Sequence, residues 1–387
     1  MQSIPYSRQD IADADVAAVV AALRSELITQ GPAVPAFEKA VAGYVGAPHA
    51  IAVNSGTSAL HLACLALGVG PGDVVWTSPI SFVASANCAR YCGADVDFVD
   101  IDAQTFNLSP AALEEKLARA KRAGRLPKVL IPVHFGGAPC DMAAIANLAH
   151  RHGIAVVEDA SHALGAGYRG GRIGDCAHSD LTVLSFHPVK MITTGEGGML
   201  TTRSDELRGR LELLRTHGVT RDAELLEEKD AGGWYYEQRT LGFNYRLTDI
   251  QAALGSSQMR RLREFLERRR ALAARYRARL AGLPLSCQRE ETDAPSSYHL
   301  FVVQLALESL KPSRREVYEG LQRAGIRANV HYIPIHLQPY YRALGFRAGS
   351  FPAAERYYER ALSLPLFPAL RAAEQDHVVA TLSGLLA

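Results

Sequence analysis

Ser185-Phe186-His187-Pro188-Val189-Lys190, followed by Met191-Ile192-Thr193-Thr194-Gly195-Glu196-Gly197-Gly198, decides how the rest of the chain is read. The apolar, strand-favouring run Leu181-Thr182-Val183-Leu184 breaks at Pro188, which places Lys190 on an irregular segment at a sheet edge, not on a solvated helix. A lysine held at a strand end between turns and glycines loses solvation. Its pKa then falls, and its amine becomes a candidate Schiff-base nucleophile. By itself, a lysine in a glycine-rich loop is more often an ordinary surface residue, so the surrounding pattern has to decide.

Working back from Lys190, apolar strands alternate with amphipathic helices. Strands are expected at 50–54, 74–77, 96–99, 129–133 and 154–157, with helices at 58–67, 82–91, 110–122 and 142–152 between them. This alternation predicts an α/β fold with a mostly parallel central sheet and right-handed crossovers. Ligands then belong at the carboxyl ends of the strands. Three such ends carry chemistry: Asn54 to Ser58, Glu158-Asp159-Ala160-Ser161-His162, and Ser185 to Lys190.

Ser55-Gly56-Thr57-Ser58 joins a buried strand to a helix. Free N–H groups at the helix start, a glycine that permits close approach, and the Thr57 and Ser58 hydroxyls suit a phosphate; a plain Ser/Thr N-cap is the simpler alternative. Asp159, placed just after its strand, would lie beside this cradle, as a helix N-cap or as the partner of a protonated ring nitrogen. Gly165-Ala166-Gly167-Tyr168-Arg169-Gly170 satisfies GxGxxG but opens no periodic helix, so it reads as turns and not as a dinucleotide fingerprint.

Beyond Lys190, a strand is expected at 199–202 and a helix at 205–216. An aromatic stretch from Gly232 to Leu247 follows, best read as an interface. The long helical segment from Thr248 to Arg279 carries nine arginines read as a solvated face. A carboxy-terminal part then shows a strand at 300–305 and helices at 314–324 and 353–362. Nearer the start, helices are expected at 7–27 and 33–44, separated by the polar Ile28-Thr29-Gln30-Gly31-Pro32 loop. His331 and His336 flank Pro334, which breaks any helical register; they read as packing or substrate contacts rather than metal ligands, and no metal is expected.

Composition sets the outer limits. The chain of 387 residues is 48% hydrophobic and 21% charged with a net charge of +2. That suffices for a large core with a second domain, expected as 1–255 and 256–387, and gives no bulk electrostatic case for nucleic acid or a membrane surface. Six cysteines (Cys64, Cys88, Cys92, Cys140, Cys176, Cys287) lack a CxxC pair and read as reduced thiols. The stretch Met1 to Tyr6 shows no basic or apolar leader, and no window is apolar for the roughly 20 residues of a membrane helix. A cytoplasmic, small-molecule-binding protein is expected.

The cradle, strand-end aspartate and strand-end lysine, in that order, resemble fold-type-I pyridoxal-phosphate enzymes, and more narrowly the DegT/StrS family of sugar-nucleotide aminotransferases. The matching stretches are Thr29-Gln30-Gly31-Pro32, Asn54-Ser55-Gly56-Thr57-Ser58-Ala59-Leu60, Pro132-Val133-His134-Phe135-Gly136-Gly137, Glu158 to Gly165, Ser185 to Lys190, Gly242-Phe243-Asn244-Tyr245-Arg246 and Pro334-Ile335-His336. The resemblance implies an aspartate-aminotransferase-like fold, with a large domain plus a smaller α+β carboxy-terminal domain. The implied cofactor is pyridoxal 5'-phosphate, alternating with pyridoxamine phosphate.

Carried over by resemblance, Lys190 is the Schiff-base lysine and proton carrier, and Asp159 pairs with the ring nitrogen. Phe82 stacks on the ring, His162 neighbours the ring hydroxyl, and Thr57, Ser58 and Ser185 hold the phosphate. Asn244 joins them from the other subunit of a homodimer with shared sites. Gln30, Gly31, Arg246, His331, Tyr332 and His336 are implied on the substrate side. The wording of Trp76 to Pro79, Ser81 to Asn87 and His331 to Tyr341 is most similar to the pseudaminic-acid branch of the family, which feeds surface glycans or flagellin glycosylation. That branch implies L-glutamate as donor and a UDP-linked 4-keto-6-deoxy-N-acetylhexosamine as acceptor. Transaminases of bacillosamine-type or perosamine-type pathways, or a non-catalytic regulatory protein on the same fold, are the alternatives.

Overall fold

A computed structural model describes residues 3–228 and 231–387. Met1 and Gln2, part of the stretch read for a leader, lie outside the described residues, as do Lys229 and Asp230. The centre is a seven-stranded sheet of β1 (His49–Val53), β2 (Val74–Thr77), β3 (Asp95–Phe98), β4 (Val129–Ile131), β5 (Ala155–Asp159), β6 (Leu181–Ser185) and β7 (Gly198–Thr202). Their spatial order is β1-β7-β6-β5-β4-β2-β3. The run β6-β5-β4-β2-β3 is parallel, as the alternating pattern predicts. The strand expected at 199–202 is different: β7 pairs antiparallel with both β1 and β6. Only about a dozen residues separate β6 from β7, so the chain returns beside its predecessor without a crossover helix.

Helices cover both faces of this sheet: α1 (Asp13–Leu23), α2 (Ala33–Val45), α3 (Gly56–Ala66), α4 (Ala84–Tyr91), α5 (Pro110–Arg122), α6 (Met142–His150), α7 (Asp205–Arg215) and α8 (Asp249–Leu280). Local chemistry sets the sharpest boundaries. Ser109 caps α5 by accepting from Ala112 N, and Pro110 occupies its first turn. Thr248 and Gln251 form a reciprocal capping box that starts the 32-residue α8, against which α1 and α2 pack. Gly255, where the sequence reading divides the chain, lies inside α8 and makes room for Phe37.

The arginine-rich face of α8 departs from its expected solvation most completely at Arg269. Arg269 is 1% exposed, and its Nη1 donates to the carbonyls of Tyr298, His299 and Leu366 at 3.2, 3.3 and 2.9 Å. These three bonds fasten α8 to the carboxy-terminal part, where Leu285–Cys287, Phe301–Leu305 and Ala361–Leu364 form a three-stranded antiparallel sheet. That sheet corrects another expectation: the helix read through Leu362 ends at Arg360, and Leu362 pairs with Val303 instead. The helix read from Ser7 begins only at Asp13. The GxGxxG stretch is a tight antiparallel hairpin of Gly167–Tyr168 and Gly171–Arg172, in line with its reading as turns.

Candidate active site at the carboxyl ends of β1, β5 and β6

β1 ends into the first turn of α3. Ser55 caps the helix, its Oγ accepting from Ser58 N at 3.0 Å. The Ser58 hydroxyl donates to Asn54 Oδ1 at 2.6 Å, so its single proton braces the turn from behind. Gly56 and Thr57, at the start of the helix, present N–H groups that have no intrahelical acceptor. Two glycines let this turn sit close to the sheet. A Cβ on Gly56 would lie 3.1 Å from Ser185 Cβ, and one on Gly198 would lie 2.3 Å from the Ser55 carbonyl oxygen. Gly56, half-buried Thr57 and Ser185 thus come together at the positive end of a helix, a donor set suited to a phosphate.

Asp159 is the last residue of β5, not the residue after it, and is 4% exposed. Its Oδ2 accepts from Ser85 Oγ at 2.6 Å and its Oδ1 from Ser161 N at 3.1 Å. The first bond ties the strand end to the first turn of α4, which follows Phe82. The Phe82 ring is 59% exposed and stands 6.4 Å, centre to centre, from that of Tyr332.

Lys190 follows β6 on a loop held at several points. Phe186 exchanges backbone bonds with Gly197 and Thr194 at 2.9 and 3.0 Å, Lys190 N donates to the His187 carbonyl at 2.9 Å, and Ser7 Oγ donates to the Val189 carbonyl at 3.3 Å. Burial lowers the Lys190 pKa to about 8 against the opposing pull of the Asp159 carboxylate. The sequence reading asked for a desolvated amine, and the loop supplies it.

Four histidines feel the charge of this amine: His187 on its own loop, and His162, His299 and His331 from elsewhere in the fold. His162, 5% exposed, accepts at Nδ1 from Gly136 N at 3.3 Å and meets the Tyr332 hydroxyl at Nε2 at 3.2 Å. Burial, then the nearby Lys190 and His331, hold its pKa well below the usual imidazole value. His299 lies against it with ring centres 4.3 Å apart. His331 engages Ser363 Oγ at 2.8 Å through Nδ1, and burial pushes its pKa down to about 3. Burial raises the phenol of Tyr332 above its ordinary value.

The expected residues therefore fall into groups. Lys190, Asp159, His162, His331 and Tyr332 form one electrostatically linked cluster, with Phe82 beside Tyr332. Thr57, Ser58 and Ser185 line or brace the cradle. Asn244 is exposed, and its carbonyl accepts from Asn54 Nδ2 at 3.4 Å; Arg246 follows in the same partly buried segment, whose Tyr245 carbonyl accepts from Asn54 N. Gln30 and Gly31 sit at the amino end of α8, where Gly31 N donates to Asp249 Oδ2 at 2.8 Å. His336 lies in a different cluster: fully buried, it pairs with Glu355 at 2.8 Å and packs on Phe351.

His299 is not named in the sequence analysis, Ser85 and Arg269 enter it only within longer stretches, and Asn54 only as the first residue of a strand end that carries chemistry. Ser85 alone left a trace, as a serine one helical turn after Ser81 in an otherwise apolar segment. Among the described residues no cluster of histidine, cysteine and carboxylate side chains is arranged to hold a metal. No helix of the described residues is long and apolar enough to cross a membrane.

The DegT/DnrJ/EryC1/StrS aminotransferase family matches residues 9–383. The spore coat polysaccharide biosynthesis protein SpsC of Bacillus subtilis is 40% identical over 379 residues, covering 97% of this chain and 95% of that protein. Among solved structures, Helicobacter pylori PseC, an aminotransferase involved in the biosynthesis of pseudoaminic acid, superposes with a TM-score of 0.91 at 29% identity, covering 100% of this chain and 99% of the other. Spr1654 of Streptococcus pneumoniae in its PMP form gives a TM-score of 0.90 at 32% identity over 99% and 98% of the two chains, and its PLP form is similar too.

Proposed function

The chain belongs to the DegT/DnrJ/EryC1/StrS aminotransferase family, and from that membership we propose that it moves the amino group of L-glutamate to C4 of a UDP-linked 4-keto-6-deoxy-N-acetylhexosamine for pseudaminic acid biosynthesis. It is an aminotransferase of fold type I that uses pyridoxal 5'-phosphate. The proposal adds a cytoplasmic homodimer in which Asn244 of each subunit serves the site of the other. The observation that carries the reading is the Lys190 amine, lowered to about 8 and set opposite the buried Asp159 carboxylate at adjacent strand ends.

The residues present fit the cofactor. The N–H groups of Gly56 and Thr57 with the Thr57 and Ser185 hydroxyls would hold its phosphate, Ser58 bracing them through Asn54. Phe82 would cover one ring face. When bound, the cofactor supplies an electron sink conjugated to the carbon that bears the amine. Asp159 would keep a proton on the ring nitrogen through its negative charge. Lys190, half-neutral near pH 8, would accept the proton lost from the amine-bearing carbon and return it to the other carbon bonded to the same nitrogen, so one residue would serve both halves of the transfer. His162 and Tyr332 bound the site on the side of the carboxy-terminal part and carry no charge there. Gln30, Gly31, Arg246 and His331 are proposed on the acceptor side.

The likeness to PseC supports the pseudaminic sugar. A second acceptor is favoured by the 40% identity to SpsC, namely a nucleotide-linked keto-sugar destined for another surface polysaccharide. Incubation with glutamate and each candidate keto-sugar, followed by mass spectrometry of the product, separates them. The UDP-4-keto-6-deoxy-N-acetylhexosamine should turn over fastest; faster turnover of a dTDP-linked or GDP-linked sugar would replace it.

A further inference from the structure

Ser85 is 1% exposed and lies in the first turn of α4, one turn after Ser81, which is 4% exposed. Its Oγ is 2.6 Å from Asp159 Oδ2 and 2.6 Å from Ser81 Oγ. A hydroxyl has one proton to give, and an ionised carboxylate only accepts. The Ser85 proton therefore goes to Asp159, and the Ser81 proton must go to Ser85. The two serines form a directed relay that ends on the carboxylate, each bond polarising the next. With Ser161 N–H on Oδ1, both oxygens of Asp159 hold a donor from the chain itself.

From this arrangement we infer that Ser85 is a positioning residue for the amino transfer, acting through Asp159 and supported by Ser81. The inference rests on the function proposed above. A short bond from a hydroxyl to a carboxylate has two effects. It fixes the rotation of the carboxylate, and it occupies one of the lone pairs, so the remaining ones keep a single orientation. A carboxylate held in one orientation opposite a ring nitrogen would keep its negative charge on the N–H, and a protonated ring withdraws electrons better. Ser85 also lies three residues beyond Phe82, the ring-stacking candidate, at the start of α4, so its bond to Asp159 anchors the start of that helix to the strand end. Lys190 and Tyr332 also face Asp159, and His162 faces Lys190; all three are unchanged by substitution at Ser85, so a comparison with the parent protein isolates the hydroxyl.

The test compares wild type, Ser85→Ala, Ser85→Thr and Ser81→Ala as full-length proteins loaded with pyridoxal 5'-phosphate. Ser85→Ala should lose roughly tenfold in kcat while KM for glutamate stays within about twofold. The pH midpoint of the visible cofactor band should move upward by about one unit, because less positive charge is held on the ring. Ser85→Thr restores the hydroxyl and should recover both quantities, and Ser81→Ala should give a smaller change in the same direction. Melting curves of the cofactor-free proteins separate a folding defect from this effect. Unchanged kcat and band midpoint in Ser85→Ala would overturn the inference, as would a loss that Ser85→Thr fails to recover in a protein that melts like wild type. A wild-type protein that forms no visible band would instead overturn the function on which the inference rests.

Discussion

His162 Nε2 stands 3.2 Å from the hydroxyl of Tyr332, and because Gly136 N–H donates to Nδ1 at 3.3 Å, the one proton of this imidazole is on Nε2 and is donated to the tyrosine. Burial beside the Lys190 ammonium keeps the ring neutral. The Tyr332 hydroxyl accepts from His162, which leaves its own proton free to be donated onward.

A neutral histidine that accepts at one nitrogen and donates from the other can be replaced by a neutral amide, which also accepts and donates. His162→Gln should keep kcat within about tenfold of wild type and leave the pH profile between 5 and 8 unchanged. Tyr332→Phe should do more harm, because it strands a buried N–H. A loss of about 1 to 3 kcal/mol in stability is expected from the melting curve, together with a fall in kcat. Disappearance of an acid limb in His162→Gln would show that the imidazolium, not the imidazole, is at work.

The Lys190 amine sets a second pH dependence. With its pKa lowered to about 8, the neutral, nucleophilic form grows as pH rises through 8, far below the ordinary lysine range. The rate at which the cofactor-free protein captures pyridoxal 5'-phosphate, followed by stopped-flow absorbance, should rise with pH to a midpoint near 8. A midpoint near the ordinary lysine value would mean that the loop does not desolvate the amine.

Gly198 is where sheet and cradle touch. A Cβ there would stand 2.3 Å from the Ser55 carbonyl oxygen, a distance no packing tolerates. Gly198→Ala should push the start of α3 off the sheet and cost about 1 to 3 kcal/mol of stability. Because the phosphate donors lie on that turn, affinity for pyridoxal 5'-phosphate should fall more than kcat at saturating cofactor. Equilibrium titration by fluorescence quenching checks this.

His336 belongs to a packing cluster. Buried against Phe351 and joined to Glu355, its removal should lower the melting temperature without changing the chemistry. His336→Ala is expected to lose about 2 to 4 kcal/mol of stability, with kcat per folded molecule within about threefold of wild type. A large rise in KM for the keto-sugar in a folded His336→Ala protein would return this residue to the acceptor site.

What could be read from the sequence follows from how local each feature is. The helix Pro110–Arg122 and the strand Val74–Thr77 lie where the pattern puts them, because a serine cap, a first-turn proline and a short β-branched run act within a few residues. Ala361 and Leu362 read as the end of a helix because the strand character of Ala361–Leu364 comes from pairing with Phe301–Leu305, about 60 residues away. Lys190 and Asp159 stand out in the sequence because each follows a strand-favouring run and falls in a stretch that resembles the family pattern. Ser85 meets Asp159 across 74 residues, and Arg269 is buried only because three distant carbonyls enclose it. No spacing along the chain announces such contacts.

The measurement that bears most directly on the central claim is the visible spectrum of the protein loaded with pyridoxal 5'-phosphate, for wild type and Lys190→Ala, before and after L-glutamate and then the UDP-4-keto-6-deoxy sugar. Wild type should show a yellow band that glutamate bleaches and the keto-sugar restores, and Lys190→Ala should not complete the cycle. A wild-type band that glutamate leaves untouched, or a Lys190→Ala protein that cycles like wild type, would contradict the role given to Lys190 and with it the proposed transfer.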